Sequence, residues 1–489
     1  MIYWGISANN HDAALAVFDN NTLVFASEAE RFSKLKNDPD LHIDLIDHAR
    51  AWGEPDTVCW FENPWKKTLR QLFAGQKIKS NSVKKYLKNY NIDAPIKIVD
   101  HHRSHAAAGY YTSKFDDACV LVIDAIGEFQ SLSIWQGNGK DLSFLFSLDY
   151  PHSVGLWYSA MTKRCGLKPV EEEYILMGMA ALGNPNRLTR DILNDFIRMP
   201  IDDYNVPVQF KENLHRGCQW WRPDLQSQQD LYDIAAATQQ IYEMLFERIL
   251  QFALTKTSSR NLVLMGGCAL NCAANSKAYK YFKDIWIMPA PGDSGSAIGA
   301  VLAHTKNHID WPGVYLGYDL GYHTNNEQIV NHLLENKICG VARGRAEFGP
   351  RALGNRSLLA DPRDANIKEL VNDIKQREQF RPFAPAILEE HADQYFVMPT
   401  KSIPYMQYTA VCKRPDLFPG IVHVDGTSRV QTVDRDSNPQ FRELLELWYA
   451  KTGCPMLLNT SLNVKGQPML NDMSDVDLWC RTYGLPVFN

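Results

Sequence analysis

The chain opens on a regular exchange of apolar and polar positions. Apolar runs at 2–6 and 13–18 flank the polar turn Ser7 to Asp12, and an Asp-Asn-Asn turn leads to a third run at 22–26. Short alternating runs joined by turn residues predict antiparallel strands. The same order returns at 119–146: a strand at 119–123, an acidic turn at 124–128, a strand at 131–135, a Gly-Asn-Gly hairpin at 137–139 and a strand at 142–146. This repeat predicts two related half-domains facing a cleft, with both polar turns pointing into it.

Between and beyond the repeats the period changes. Helical spacing over 231–252 predicts a long core-packing helix. Buried strands are predicted at 261–265 and 285–288, each running into a Gly-rich turn and a helix (GGCALN and PGDSGSAIGA). A strand, a glycine turn and a helix start suit phosphate contact, which makes Gly266, Gly267 and Asn271 candidate nucleotide contacts. Gly, Pro and Tyr punctuate residues 312–322 and mark a boundary. Past it the pattern predicts a helix at 326–336, strands at 338–343, near Val422, at 429–432 and at 456–459, and helices ending at Lys375 and spanning 441–451. This is a second α/β domain of ordinary size.

Composition narrows the class. At roughly 100–200 residues per domain, 489 residues suggest two to four domains. The net charge of −5 supplies no global field for nucleic acid. The ten cysteines show no CxxC pattern, which fits a reducing compartment. Nothing resembles a signal peptide and no apolar run reaches membrane-spanning length, so a cytoplasmic protein with no membrane contact is expected, in a bacterium or a phage-infected host.

Four constellations carry chemistry. His101 and His105 stand four apart in VDHHRSHAAAGYY, on one face of a predicted helix, a spacing suited to a transition metal. Asp124, at a strand end, and Asp293, in a glycine turn, are the best candidates for the missing ligands, a set that suits iron, manganese or zinc. His11 and Asp12 sit in the first polar turn, where the histidine is a candidate general base. Residues 343–385 hold nine Lys/Arg against six Asp/Glu, set beside Gly and Pro, and read as an anion site. Its candidate ligands are Arg345, Arg351, Arg356, Lys375, Arg377 and Arg381, joined by Arg429, Asn459 and Ser461. Finally, residues 65–97 carry Lys66, Lys67, Arg70, Lys77, Lys79, Lys84, Lys85, Lys88 and Lys97 among aromatic residues with one acid, Asp93. Such a stretch is either a solvated helical hairpin or a nucleic-acid contact.

Taken in order, these blocks resemble the NodU/CmcH family of O-carbamoyltransferases. The EFGPRALGNRS and REQFRPFAP blocks are the most specific. The resemblance implies an α/β chain with a duplicated actin/hexokinase-like domain over 1–320, a smaller YrdC-like domain over 321–470, and a tail at 471–489 packing back on the first domain. It implies that ATP with Mg2+ and carbamoyl phosphate give carbamoyl adenylate in the smaller domain, and that the larger one passes the carbamoyl group to a hydroxyl. It implies one metal, iron foremost, on His101, His105, Asp124 and Asp293, a base at His11, and YrdC-like active-site positions at Lys375, Arg381, Arg429, Asn459 and Ser461. The chain departs from the family pattern at Asn37, in place of a histidine, and at Ile175, where a lysine is usual. The basic stretch points to a hydroxymethylated pyrimidine in DNA, or a nucleotide, as acceptor. A sugar hydroxyl of an antibiotic or oligosaccharide is the alternative, and a non-catalytic ATP- or nucleic-acid-binding protein is the rival class. A homodimer is expected.

Overall fold

The computed structural model describes residues 1–75, 81–198 and 206–489 and divides into two compact units. The first comprises Met1–Ala29 and Asn37–Trp311, the second Glu30–Lys36 and Pro312–Asn489.

The first unit contains two five-stranded sheets. One is built from β1 (Ile2–Ser7), β2 (Ala14–Asp19), β3 (Thr22–Glu28), β4 (Thr57–Trp60) and β5 (Ile96–Ile98), in the order β3-β2-β1-β4-β5. The other is built from β6 (Asp117–Gly127), β7 (Gln130–Asn138), β8 (Asp141–Asp149), β9 (Asn261–Met265) and β10 (Asp284–Ile287), in the order β10-β9-β6-β7-β8. In each sheet the first three strands are antiparallel neighbours, and the fourth and fifth add in parallel beside the first. The two sheets share one topology, the duplicated actin/hexokinase-like plan. β6 and β9 are buried along almost their whole length, which explains why they read as unbroken apolar runs. The segment 124–128, expected as a turn, is mostly strand: β6 runs on to Gly127, with an irregular register between Ile123 and Gly127.

Each sheet is followed by a helix, His101–Thr112 after the first and Ser296–Thr305 after the second. The two helices pack on one another at very short range. A Cβ on Gly299 would stand 1.8 Å from the Ser104 carbonyl oxygen, so only glycine admits this approach. Gly299→Ala is therefore expected to destabilise the fold by about 1–3 kcal/mol, the usual cost of overpacking. Urea unfolding, read as a lowered midpoint at unchanged slope, checks it.

The second unit holds a six-stranded sheet in the order Gln431–Val433, Ala384–Leu388, Met456–Ser461, Arg356–Ala360, Ile338–Ala342, Val487–Phe488. One face is covered by the Asn326–Asn336 and Pro439–Thr452 helices through Ile329, Leu333, Phe441 and Trp448. The other packs against Val371, Phe396, Val476 and Trp479. The segment near Val422 is a turn, not the expected strand; a short strand, Ala410–Cys412, precedes it. The tail at 471–489 belongs to the second unit. Val476 and Trp479 of the Met473–Tyr483 helix are buried in the second unit's core, and Val487–Phe488 pairs in parallel with Ile338–Ala342. The Glu30–Lys36 segment also belongs here. Arg31, 1% exposed, donates to the carbonyls of Glu347 and Gly349, and Lys34 pairs with Asp475 and Asp472. Among the described residues no helix is long and apolar enough to cross a membrane.

Candidate active site

Four buried side chains of the first unit converge. His101 and His105 stand one turn apart at the start of their helix, Asp124 ends the apolar run of β6, and Asp293 occupies the turn before the Ser296–Thr305 helix. One ligand atom from each lies within 4.8 Å of all the others. His101 Nε2 is 3.1 Å from His105 Nε2, 3.3 Å from Asp124 Oδ2 and 3.4 Å from Asp293 Oδ1. His105 Nε2 is 3.3 Å from Asp293 Oδ1 and 3.9 Å from Asp124 Oδ2. Ligands about 2.0–2.2 Å from one ion stand roughly 3–3.6 Å apart, a range that holds all of these distances except the 3.9 Å between His105 and Asp124. The chemistry fits a metal: two imidazoles and two carboxylates carry the charge a divalent iron, manganese or zinc ion neutralises.

Electrostatics lead to the same place. Burial opposes a charge on His101, but Asp293 and Asp124 outweigh it and hold its pKa well above the ordinary value. Burial likewise opposes the charge on Asp293, yet His101 and His11 keep it ionised far below the usual carboxylate range. Positive charge is in demand between these groups. His102, by contrast, is pushed down to about 3 by burial and by His101, and its Nδ1 meets Ser133 Oγ at 2.8 Å. It is a neutral core histidine.

A second layer orients the ligands. Asn10 Nδ2 donates to Asp293 Oδ2 at 2.9 Å, the Gly267 amide donates to Asp124 Oδ1 at 3.2 Å, and Ser296 Oγ lies 3.3 Å from His105 Nδ1. A Cβ on Gly127 would fall 2.2 Å from His101 Cδ2, so glycine gives the ring its seat. His11 stands at the rim, 36% exposed, with Nε2 3.7 Å from Asp293 Oδ2 and Nδ1 2.9 Å from Asp12 Oδ2. Burial pulls its pKa down, but Asp293 and Asp12 raise it to about 10.

The glycine turn touches this cluster. The Gly266 amide donates to the Pro291 carbonyl, the Gly267 amide to Asp124, and Asn271 exchanges hydrogen bonds with Gln239 while capping Ala274. These three residues, expected as nucleotide contacts, spend these donors inside the protein.

The basic stretch is corrected in part. Lys67 is buried against Glu62, Arg70 is buried, and Lys66 pairs with Asp100 at 2.7 Å. The Pro64–Phe73 helix instead turns Trp65 and Phe73 outward, 79% and 75% exposed, with Leu69 and Leu72. Lys84, Lys85 and Lys88 are exposed on the Val83–Lys88 helix. Lys77 and Lys79 lie outside the described residues.

In the second unit the arginine segment divides. Arg356 is fully buried and donates to the carbonyls of Arg343, Gly344, Asn355, Tyr318 and Asn471. Arg345 donates to Leu316 and Gly317 carbonyls. Both brace the backbone at positions expected as anion ligands. Lys375, 3% exposed, is held by Ser461 and by Asn463, whose carbonyl and Oδ1 lie at 2.8 and 3.0 Å. Burial first, then Arg377 and Arg381, push its pKa well below the lysine value. Cations gathered this tightly make an anion site. Asn372, which sequence reading missed, shapes it: its Oδ1 accepts from Arg377 Nε at 2.6 Å and its Nδ2 reaches the carbonyls of Gln379 and Arg381. Arg377 also stacks on Phe383, 4.3 Å from the ring centre. Arg351 is half-buried in the 350–355 loop, and buried Glu347 organises that loop by accepting the amides of Leu353, Asn355 and Arg356. Asn459 Nδ2 holds the same loop through the Ala352 carbonyl and also donates to Gln431, while its buried Oδ1 has no hydrogen-bond partner among the described residues. Arg429 lies half-buried two positions before Gln431.

Sheet topology places the first unit in the actin/hexokinase-like class. Residues 61–302 match the family model described as carbamoyltransferase N-terminus, and residues 330–485 the one described as carbamoyltransferase C-terminus. An uncharacterized protein of Synechocystis sp. is 33% identical over 95% of this chain and 92% of its own. Nodulation protein NolO of Bradyrhizobium diazoefficiens is 33% identical over 77% and 75%. The 3'-hydroxymethylcephem-O-carbamoyltransferase of Amycolatopsis lactamdurans is 29% identical over 97% and 95%. The chain belongs to the carbamoyltransferase family.

Proposed function

We propose that the protein is an ATP-dependent O-carbamoyltransferase acting on a hydroxyl of a small molecule. The convergence of His101, His105, Asp124 and Asp293, with His11 on its rim, carries the reading. In the second unit, a YrdC-like site around Lys375, Arg377 and Arg381, with Arg351, Arg429, Asn459 and Ser461, takes ATP with Mg2+ and carbamoyl phosphate. Carbamoyl phosphate and water give carbamate and phosphate. The carbamate oxygen then displaces pyrophosphate from the α-phosphorus of ATP, giving carbamoyl adenylate. In the first unit the acceptor hydroxyl attacks the carbamoyl carbon, AMP leaves, and the hydroxyl proton passes to a base.

A divalent ion, iron foremost, held by His101, His105, Asp124 and Asp293 supplies Lewis acidity at that carbonyl when bound. His11 accepts the acceptor's proton and Asp12 orients its ring. Its raised pKa makes it a proton donor while Asp293 is uncompensated; the base role goes with a cation that neutralises the two aspartates.

A small acceptor is favoured over DNA by the burial of Lys67 and Arg70, which takes two cations from the basic stretch, and by the relative named for a hydroxymethyl cephem. Incubation with ATP, Mg2+, carbamoyl phosphate and a panel of hydroxymethyl compounds, sugars, nucleosides and hydroxymethylated DNA decides it. Mass spectrometry is expected to show a gain of ~43 Da on a small acceptor, one carbamoyl replacing one hydrogen. Failure to form AMP and pyrophosphate with any acceptor sinks the activity. A carbamoylated DNA product overturns only the choice of acceptor.

A further inference from the structure

His101 faces the four-residue cluster through Nε2, so a neutral ring bound to metal keeps its proton on Nδ1. That nitrogen is buried and has no hydrogen-bond partner among the described residues. Glu62 Oε2 lies 3.9 Å from it, a gap that a small rotation of either side chain closes to hydrogen-bond length. Glu62 is 4% exposed, and the ammonium of Lys67, equally buried, pairs with it. Lys67 Nζ makes a second bond, to the Asn9 carbonyl at 2.8 Å. Asn9 has φ +66 in the turn that carries Asn10, the partner of Asp293, and His11. One buried ion pair thus touches both sides of the site.

Resting on the metal reading above, we propose that Glu62 and Lys67 are positioning residues. Glu62 takes the Nδ1 proton of His101 in a hydrogen bond and so aims Nε2 at the metal. Lys67 fastens that carboxylate to the turn bearing Asn10 and His11, and one ion pair sets the distance between metal and base. The ion pair's buried setting separates it from Lys66, which lies at the surface with Asp100. Partners of this kind shift metal affinity without touching substrate.

The test replaces the whole pair, because removing one partner strands a buried charge whereas an apolar pair of similar size is usually tolerated. Glu62→Leu/Lys67→Met is expected to melt like the wild type, bind Co2+ about 10–100-fold more weakly, and show an altered visible Co2+ spectrum. Glu62→Gln/Lys67→Met keeps an oxygen to accept the Nδ1 proton and is expected to regain most of the affinity. Wild-type affinity and spectrum in the Leu/Met variant overturn the proposal, as does equal loss in both variants, which marks a packing role. Should the Leu/Met variant fail to fold, the wild-type protein decides. With histidine nitrogens labelled and Zn2+ bound, NMR is expected to place the His101 proton on Nδ1, and a proton on Nε2 overturns the brace. A wild-type protein that binds no divalent ion removes the metal reading and the brace with it; one that binds while the variants make no difference removes the brace alone.

Discussion

Asp293→Asn is expected to leave the chain folded while stripping it of divalent metal and of carbamoyl transfer. Asp293 reaches both the cluster and its rim. One oxygen faces both His101 and His105, at 3.4 and 3.3 Å, and the other meets Asn10 at 2.9 Å and His11 at 3.7 Å. Asparagine keeps the volume and removes the charge, leaving Asp124 as the one carboxylate of the four-residue cluster. Because loss of a mere outer partner weakens metal binding about 10–100-fold, loss of this ligand should cost at least the upper end of that range. Transfer falls with it. Adenylate formation in the second unit is expected to persist, and that separates a lost ligand from a lost fold. Metal stoichiometry after equilibration with Fe2+ or Co2+, read beside carbamoyl-phosphate-dependent ATP–pyrophosphate exchange, checks both halves. Unchanged metal content in the variant sinks the assignment of Asp293 as a ligand.

Lys375→Met is expected to give the opposite pattern: metal bound as in the wild type, exchange reduced about 10²–10³-fold, the usual loss for one preorganised donor. The same residue sets a pH dependence. Burial and the neighbouring Arg377 and Arg381 hold the free ammonium well below the ordinary lysine pKa. A bound polyanion favours the charged form and raises that pKa, so binding takes up a proton between the two values. Affinity for pyrophosphate should be greatest and flat below the free value. It should then fall as pH rises towards the liganded value and level off above it. Calorimetry in two buffers of different ionisation enthalpy measures the uptake. A wild-type profile as flat as that of Lys375→Met would show that Lys375 stays charged throughout.

Much of the fold was legible because it rests on local period. The runs at 2–26 and 119–146 gave the duplicated strands, and helical spacing gave the Asn326–Asn336 helix at both ends. The cluster was legible where spacing alone places ligands, as for His101 and His105 on one helix face. What stayed hidden depends on the partner each side chain finds in space. Arginine looks the same in sequence whether it faces a phosphate or, like Arg356, ties five carbonyls together. Lys67 read as a surface cation because its charge was visible and Glu62 was not recognised as its partner. Asn372 and Glu347 carried no signal, since one buried amide or carboxylate among many polar residues has no period. The Glu30–Lys36 segment crosses to the second unit because of what Arg31 and Lys34 touch there, far along the chain.

The contact of Gly299 with the Ser104 carbonyl falls between the two histidines of the cluster, on the helix that follows the first sheet. His101 and His105 come from that first repeat, Asp124 and Asp293 from the second. Neither repeat alone holds more than half of the cluster. A mutation that slides one helix against its twin is therefore expected to disturb the cluster, however far it lies from the four side chains. The two repeats are thereby interlocked: each holds half of a cluster that only the other completes.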